Sequence, residues 1–385
     1  MRILIQNGIL VSGSEMIRKN LLMDQGKIRE WTDDPVSADF VIDAGNQYVV
    51  PGFIDIHVHG GGGHDFMEGT PEAFLAATTQ HLMRGVTSQV PTSVSSSPEN
   101  LRKFLSAYRE TEKSGLLKAR LLGAHLEGPH LSPQKNGAQP LKNLRAPDPE
   151  EYERLLEEFP FIRRITAAPE VPGVCDLAKR FVPRGVQFSI GHSEAHGPEI
   201  DLALQSGFTS VTHLFNAMSS YGAFRGRKEA GVAEKALLEN RLYAELIGDL
   251  CHVPADLFRL AWRDKTADRL ILVSDALSPA GAPPGAYFLG SGPGAVKIDV
   301  RDAAYLAGTE ILAGSVASAD RLLINAVKIG IPFAEAVKML TETPANLLHV
   351  SDRVGGITPG HEADVLILDD LGEVRKVICQ GKIIR

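Results

Sequence analysis

The segment GFIDIHVHG (52–60) places His57 and His59 two residues apart in an apolar run. Side chains of a β-strand alternate with a period of two, so both imidazoles of such a strand project to the same side. That is the arrangement needed for two ligands on one metal ion. Four further residues stand at the ends of apolar runs. Glu127 sits in HLEGP, His192 follows VQFSIG, His213 stands in THLFNAM, and Asp275 follows LILV in VSDA. Any one of them alone is as well explained as a cap, a satisfied buried polar group or a solvated residue. Four imidazoles and two carboxylates converging at strand ends are not, because an apolar interior penalises uncompensated polar groups. A divalent ion held by such a set lowers the pKa of bound water towards ~7 and supplies hydroxide at neutral pH.

The elements that must position these residues alternate along the chain. Strand candidates are GFIDIHVHG (52–60), GVTSQVPT (85–92), RLLGAHLEGP (120–129) and RITAAPE (164–170). They continue as VQFSIGHS (186–193), TSVTHLFNAM (209–218), YAELIGDLCHV (243–253) and RLILVSDAL (269–277). Helical runs such as PEAFLAATTQHLMRG, PEEYERLLEEF and PEIDLALQSG fall between them, opened by Pro with acidic first turns. About eight β-α units over ~300 residues predict a (β/α)8 TIM-like barrel. An open doubly wound sheet would alternate in the same way. The closed barrel better explains polar residues at the C-terminal ends of many different strands, where barrel active sites are built.

The two chain ends differ from this middle. Both are rich in short β-like runs, RILIQNGILV and NLLMDQGKIREW at the start, ADVLILDD and EVRKVICQGKIIR at the end. Asn7-Gly8, Gln25-Gly26 and Gln380-Gly381 read as hairpin turns. QGKIRE and QGKIIR echo each other, which predicts similar hairpins in one sheet. Neither end alone has much core to bury, so the expectation is a small composite β-sandwich domain. Residues 1–51 and 351–385 would form it, with the barrel occupying 52–350.

Composition narrows the class further. The chain has 385 residues, 44% hydrophobic and 23% charged, with 40 Lys plus Arg against 47 Asp plus Glu and a net charge of -7. The apolar share supports a large core and argues against disorder. A negative balance gives no global attraction for nucleic acid or an anionic membrane, so an anionic substrate needs local cations. Cys175, Cys251 and Cys379 stand far apart with no CxxC pair, which favours a reducing compartment. The apolar start is broken by Gln6, Asn7 and Gly8, too early for a signal peptide. No run of ~18 apolar residues occurs that could span a membrane. A soluble cytoplasmic protein is expected.

HxH on the first strand, His on the fifth and sixth, Asp on the eighth and a composite β domain together resemble the amidohydrolase superfamily. Many members bridge two metals with a carboxylated Lys on the fourth strand. RITAAPE has no Lys, and Glu127 on the third strand can bridge instead. That substitution resembles the N-acetylglucosamine-6-phosphate deacetylases. The likeness runs through PGFIDIHVHG, HLEGP, GHS, THLFNAM, SDA-x-x-PAG and the tail G-x-x-x-G-x-x-ADVLILD, nearly the whole chain.

The resemblance implies one or two divalent metal ions per subunit (Zn, Fe, Co, Ni or Mn) held by His57, His59, Glu127, His192 and His213. Asp275 would be the general base and acid. The implied reaction hydrolyses the acetamide of N-acetylglucosamine 6-phosphate to glucosamine 6-phosphate and acetate, in amino-sugar catabolism or cell-wall recycling. Substrate contacts are implied for Ala138, Gln139, Asn216, Ala217, Arg227 (with Arg225 a rival), His252, Leu312, Ala313 and Gly314. In the family the Arg matched by Arg227 can reach into a neighbouring subunit, which implies a homodimer. Many relatives carry His at the position of Gln139, where it helps polarise the acetyl carbonyl; the Gln amide can still donate a hydrogen bond. His64, His81, His130 and His196 match no family ligand and are read as surface or supporting residues, and Cys251 as a small buried one. The alternatives are the galactosamine epimer as substrate, another amidohydrolase reaction on a cyclic imide or dipeptide, and a non-catalytic scaffold relative.

Overall fold

Eight parallel strands close around one axis in the computed structural model, which describes residues 1–34 and 36–385. In chain order they are Phe53–Val58, Val86–Ser93, Ala124–Glu127 and Ile162–Ala167, then Gln187–Ile190, Phe208–Val211, Tyr243–Ile247 and Leu270–Val273. Each pairs in parallel with the next. The eighth strand returns to the first through Asp275 N donating to the His57 carbonyl at 2.9 Å and His59 N to the Ala276 carbonyl at 2.8 Å. The seam that closes the barrel therefore runs between HxH and the Asp of VSDA.

Helices cover the outside for the reasons their sequences suggest. Thr70 accepts from Ala73 N to cap Pro71–Leu82, Ser97 caps Pro98–Lys113, and Asp148 caps Pro149–Glu158. Each cap removes an orphan donor and contributes about 1 kcal/mol. Leu101, Phe104, Leu105 and Tyr108 on the second of these helices are buried in the main core. Tyr108 stacks on Phe161 with ring centroids 4.3 Å apart. Helices Ala319–Lys328, Phe333–Leu340 and Glu342–Leu347 follow the eighth strand. Before them the chain makes a three-stranded antiparallel sheet of Ala286–Leu289, Val296–Val300 and Ala304–Leu306. Alternation alone did not indicate this sheet, because its strands are short and its loops Gly- and Pro-rich.

Both chain ends join one branched sheet of eight strands. Its path runs Lys382–Ile383, Val374–Cys379, Val365–Leu368, Tyr48–Pro51, Arg2–Ser12, Glu15–Asp24 and Lys27–Thr32, with Phe40–Asp43 pairing on Arg2–Ser12 as well. Ile3, Ile5, Leu10, Leu21, Val49, Val365 and Ile378 pack together as a separate buried cluster. Asn7-Gly8 is not a hairpin turn. It interrupts the register inside the single strand Arg2–Ser12. Asn7 leaves the ladder with φ 57° and donates from Nδ2 to Asp43 Oδ1 at 3.0 Å instead. The bulge divides that strand, so Phe40–Asp43 pairs beside residues 3–6 and Tyr48–Pro51 beside residues 9–10.

Gln25-Gly26 and Gln380-Gly381 are two-residue hairpin turns with positive φ at both positions, 51° and 75°, 52° and 70°. The echoed sequences meet in space: a Cβ on Gly381 would lie 2.7 Å from Gly26 Cα. Gly381→Ala is therefore expected to destabilise the protein by more than about 1 kcal/mol. A shift of the urea midpoint to lower concentration with an unchanged slope would show it; an unchanged midpoint would contradict the close approach.

Candidate metal centre

Six side chains meet at the C-terminal mouth of the barrel. His57 lies in the first strand and His59 one residue past its end. Glu127 ends the third strand, while His192, His213 and Asp275 each stand two residues beyond the fifth, sixth and eighth. Those three have φ of 48°, 34° and 47°, left-handed values that non-glycine residues adopt at some energetic expense. The turn they make folds each side chain back over the strand ends. All six are buried.

Their atoms form two adjoining groups. Glu127 Oε1 is 3.2 Å from His192 Nε2 and 3.1 Å from His213 Nε2, and the two ring nitrogens are 3.1 Å apart. Asp275 Oδ1 is 3.4 Å from His57 Nε2 and 3.2 Å from His59 Nε2, themselves 3.3 Å apart. Glu127 spans both groups, with Oε1 3.5 Å from His57 Nε2 and Oε2 3.3 Å from His59 Nε2. His57, His59 and Asp275, and separately Glu127, His192 and His213, could each hold a metal ion. The donor chemistry fits a divalent first-row cation, since imidazole nitrogens and carboxylate oxygens point at a shared centre with no protein cation among them.

Electrostatics in the absence of metal supports the same reading. Burial opposes the charged forms throughout, yet the carboxylates outweigh it at the imidazoles. Glu127 and Asp275 hold His57 well above its ordinary range and push His59 up to about 9. Reciprocally, burial raises Glu127 and Asp275, but the surrounding histidines bring both below the usual carboxylate range. The pocket binds positive charge strongly, and protons are the small cations that compete with a metal for it.

Three of the four imidazoles are held from behind. His192 Nδ1 donates to the Lys135 carbonyl at 2.8 Å and His213 Nδ1 to the Asn216 carbonyl at 3.2 Å. His57 Nδ1 lies 2.9 Å from Glu245 Oε2. Asp55, two residues before His57, accepts from the His57 and Ser274 amides at 3.2 and 3.4 Å, tying the first strand to the residue before Asp275.

Gln139 is fixed by two hydrogen bonds beside the centre. Its Oε1 accepts from Ser95 N at 2.7 Å, which fixes the amide orientation, and its Nε2 donates to Glu127 Oε2 at 2.6 Å. The amide thus steadies Glu127 while Gln139 also lines the cavity above the centre.

A cavity of about 340 Å³ opens over the centre. Ala138, Gln139, Asn216, Ala217, His252, Leu312 and Gly314 line it, whereas Ala313 is buried and does not. His252 Nδ1 pairs with Asp249 Oδ2 at 2.7 Å. Arg225 and Arg227 lie outside this cavity, both exposed on the hairpin Gly222–Phe224 and Arg227–Glu229. Arg225 pairs with Glu199 at 3.3 Å. Sequence reasoning missed Gln134, Lys135, Gly137, Ile247, Leu277, Leu289 and Ile311 in the lining. Of these only Lys135 had a legible signal, a lone cation in PQKNG just downstream of Glu127.

The remaining histidines are mostly interior. His81 bonds the Gly60 carbonyl at 2.8 Å, and His130 lies between the Arg145 carbonyl and the Tyr152 hydroxyl, where burial pushes it down to about 4. His196 is buried against Phe224, whereas His64 is partly open and His349 is exposed. Cys251 is exposed, not buried: Asp249 Oδ1 accepts from both the Cys251 and His252 amides, and that turn faces Cys251 outward.

Residues 48–384 match the Amidohydrolase family. The chain is 32% identical over 381 residues to the N-acetylglucosamine-6-phosphate deacetylase of Danio rerio, covering 94% of this chain and 92% of the relative. The deacetylase structure from Pasteurella multocida superposes with TM-score 0.92 at 29% identity, covering all of both chains. That from Mycobacterium smegmatis, an Asp-to-Ala variant in complex with N-acetyl-D-glucosamine-6-phosphate, superposes with TM-score 0.89 at 31% identity, covering 100% of this chain and 98% of that one. The chain belongs to the amidohydrolase family. Its resemblance to the deacetylases extends from end to end.

The shift at His59 has a direct consequence. Because its folded value of about 9 exceeds the 6.5 of free imidazole, protonated His59 stabilises the fold fully below pH 6.5, and this contribution fades as pH rises through 9. The melting temperature of chelator-stripped protein is expected to fall over that window, and added divalent metal to remove the fall. His59→Gln should flatten the stripped profile; a level profile in stripped wild type would contradict the assignment.

Proposed function

We propose that the protein is a metal-dependent amide hydrolase that converts N-acetylglucosamine 6-phosphate to glucosamine 6-phosphate and acetate. The observation that carries this reading is the convergence of four imidazoles and two carboxylates beneath one cavity, with Glu127 between the two groups. When bound, a divalent cation polarises an amide carbonyl and lowers the pKa of water towards ~7. His57, His59, Glu127, His192 and His213 would hold it.

The chain's own proton carrier is Asp275. Its carboxylate is buried, ionised at neutral pH and fixed by its backbone bonds to His57 and Ser315. It accepts a proton from the attacking water as the new C–O bond forms. It then gives that proton to the amine nitrogen as the C–N bond breaks, since an amide anion is too poor a leaving group. Gln139 keeps Glu127 in place during this cycle. Ala138, Gln139, Asn216, Ala217, His252, Leu312 and Gly314, which line the cavity, would surround the sugar.

The expected measurement is acetate release from both epimeric hexosamine 6-phosphates and from the unphosphorylated sugars, with metal content determined on the same sample. Faster release from the galactosamine epimer would move the substrate to that alternative, and none from either phosphosugar would sink the reaction. Asp275→Asn is expected to retain metal and lose about 10²–10⁴-fold in turnover.

We further infer a homodimer in which Arg227 serves the neighbouring subunit's phosphate. Its exposed hairpin position, away from its own cavity, supports this. A guanidinium suits phosphate geometry. Arg227→Ala should raise KM about 10- to 100-fold, the loss of one charged hydrogen bond of about 1.5–3 kcal/mol. Lys376→Ala, an exposed change elsewhere, should leave KM alone. A cytoplasmic location fits three free cysteines and the absence, among the described residues, of any helix long and apolar enough to cross a membrane.

A further inference from the structure

Arg164 is fully buried, first by volume among such side chains, and it does not line the cavity. It stands in the fourth strand, Ile162–Ala167. An arginine in a barrel interior needs compensation. Its Nη2 meets Glu245 Oε1 in a short ion pair, and Nη1 donates to the Ile56 carbonyl at 3.1 Å. Glu245, on the seventh strand, is likewise without exposure. Its second oxygen, Oε2, lies 2.9 Å from His57 Nδ1. Three strands are thus linked in one line, Arg164 to Glu245 to His57, that ends at the candidate centre.

The four imidazoles of the centre are not backed alike. His192 and His213 donate to backbone carbonyls, and His59 Nδ1 is buried with no hydrogen-bond partner. Only His57 rests on a carboxylate. A carboxylate behind a ligating imidazole fixes its tautomer and orientation and strengthens the opposite nitrogen as a donor. We propose that Arg164 and Glu245 are a positioning pair: they hold His57 with Nε2 presented to the centre and set the cation affinity of the His57, His59 and Asp275 group. Arg164 offsets the burial of the Glu245 charge, so the carboxylate can sit behind the ligand without a proton of its own. Carbonyl backing leaves the Glu127, His192 and His213 group independent of this pair. The inference rests on reading His57 as a metal ligand.

The test is a cobalt titration by calorimetry of chelator-stripped, full-length protein. His57→Ala and His192→Ala identify which binding step belongs to which group. Glu245→Leu/Arg164→Met removes the carboxylate and its counter-charge together, so no buried charge is left unpaired. It should weaken the step that His57→Ala abolishes by about 10- to 100-fold and leave the step that His192→Ala abolishes unchanged. Glu245→Gln/Arg164→Met keeps a side-chain carbonyl for His57 Nδ1 and should restore part of that affinity, which a packing role would not do. Melting temperatures of the stripped variants report folding, and the Gln variant carries the test if the Leu variant does not fold. Equal weakening of both steps, an unweakened His57 step in a folded variant, or no step lost in His57→Ala would overturn the proposal. Acetate release by wild type is assayed separately, so failure of the proposed reaction would be distinguishable from failure of this pair.

Discussion

Two carboxylates buried at the mouth of a barrel impose the condition on which this architecture depends. Glu127 and Asp275 are almost wholly removed from water, and an uncompensated buried carboxylate would simply take up a proton. Four imidazoles prevent that by surrounding them at 3.1–3.5 Å. Imidazoles compensate only while they carry a proton or while a cation stands in for it. The centre is therefore stable either protonated or metal-loaded, and a metal must displace protons to enter.

The same condition explains why the active end of the barrel is strained. Strand geometry alone can aim His57 and Glu127, which lie within strands. His192, His213 and Asp275 must instead turn back from beyond the strand ends, and each does so in the left-handed region. Three such residues at one mouth persist only because neighbouring bonds over-determine them. Asp275 is bonded through both its backbone amide and its carbonyl, and His192 and His213 through their rings. Beneath them, His125 and Thr166 join a buried polar layer with Thr212 and Ser189, which satisfies the interior without adding charge.

The alternation of strand and helix made the barrel legible, and the polar residues at the ends of apolar runs did the same for the six central residues, because those signals are local. What resisted reading was set by long-range pairing. Glu245 and Arg164 stand in strands 81 residues apart, and nothing in YAELI or RITAA tells that their side chains meet. The bond that orients Gln139 was equally hidden, because its partner Ser95 lies 44 residues away. Asn7-Gly8 carried the composition of a turn, but the flanking sequence had enough partners to continue the strand through a bulge. Cys251 followed an apolar run and read as buried, until Asp249 capped the next turn and faced it outward.

The net charge of -7 takes on a sharper meaning once the cavity is known. Among the described residues lining it, Lys135 is the one lysine or arginine, and Glu194 already pairs with it at 3.0 Å. His252 is likewise engaged with Asp249. A single chain thus offers an anionic ligand little uncommitted side-chain positive charge. Attraction must then come chiefly from the cation that the buried carboxylates demand. One positive centre then serves two purposes: it makes the burial of Glu127 and Asp275 tolerable, and it supplies the field that an anion meets on entering. Because the cavity is low in dielectric at its floor and open at its rim, that field acts most strongly where the reacting group would rest.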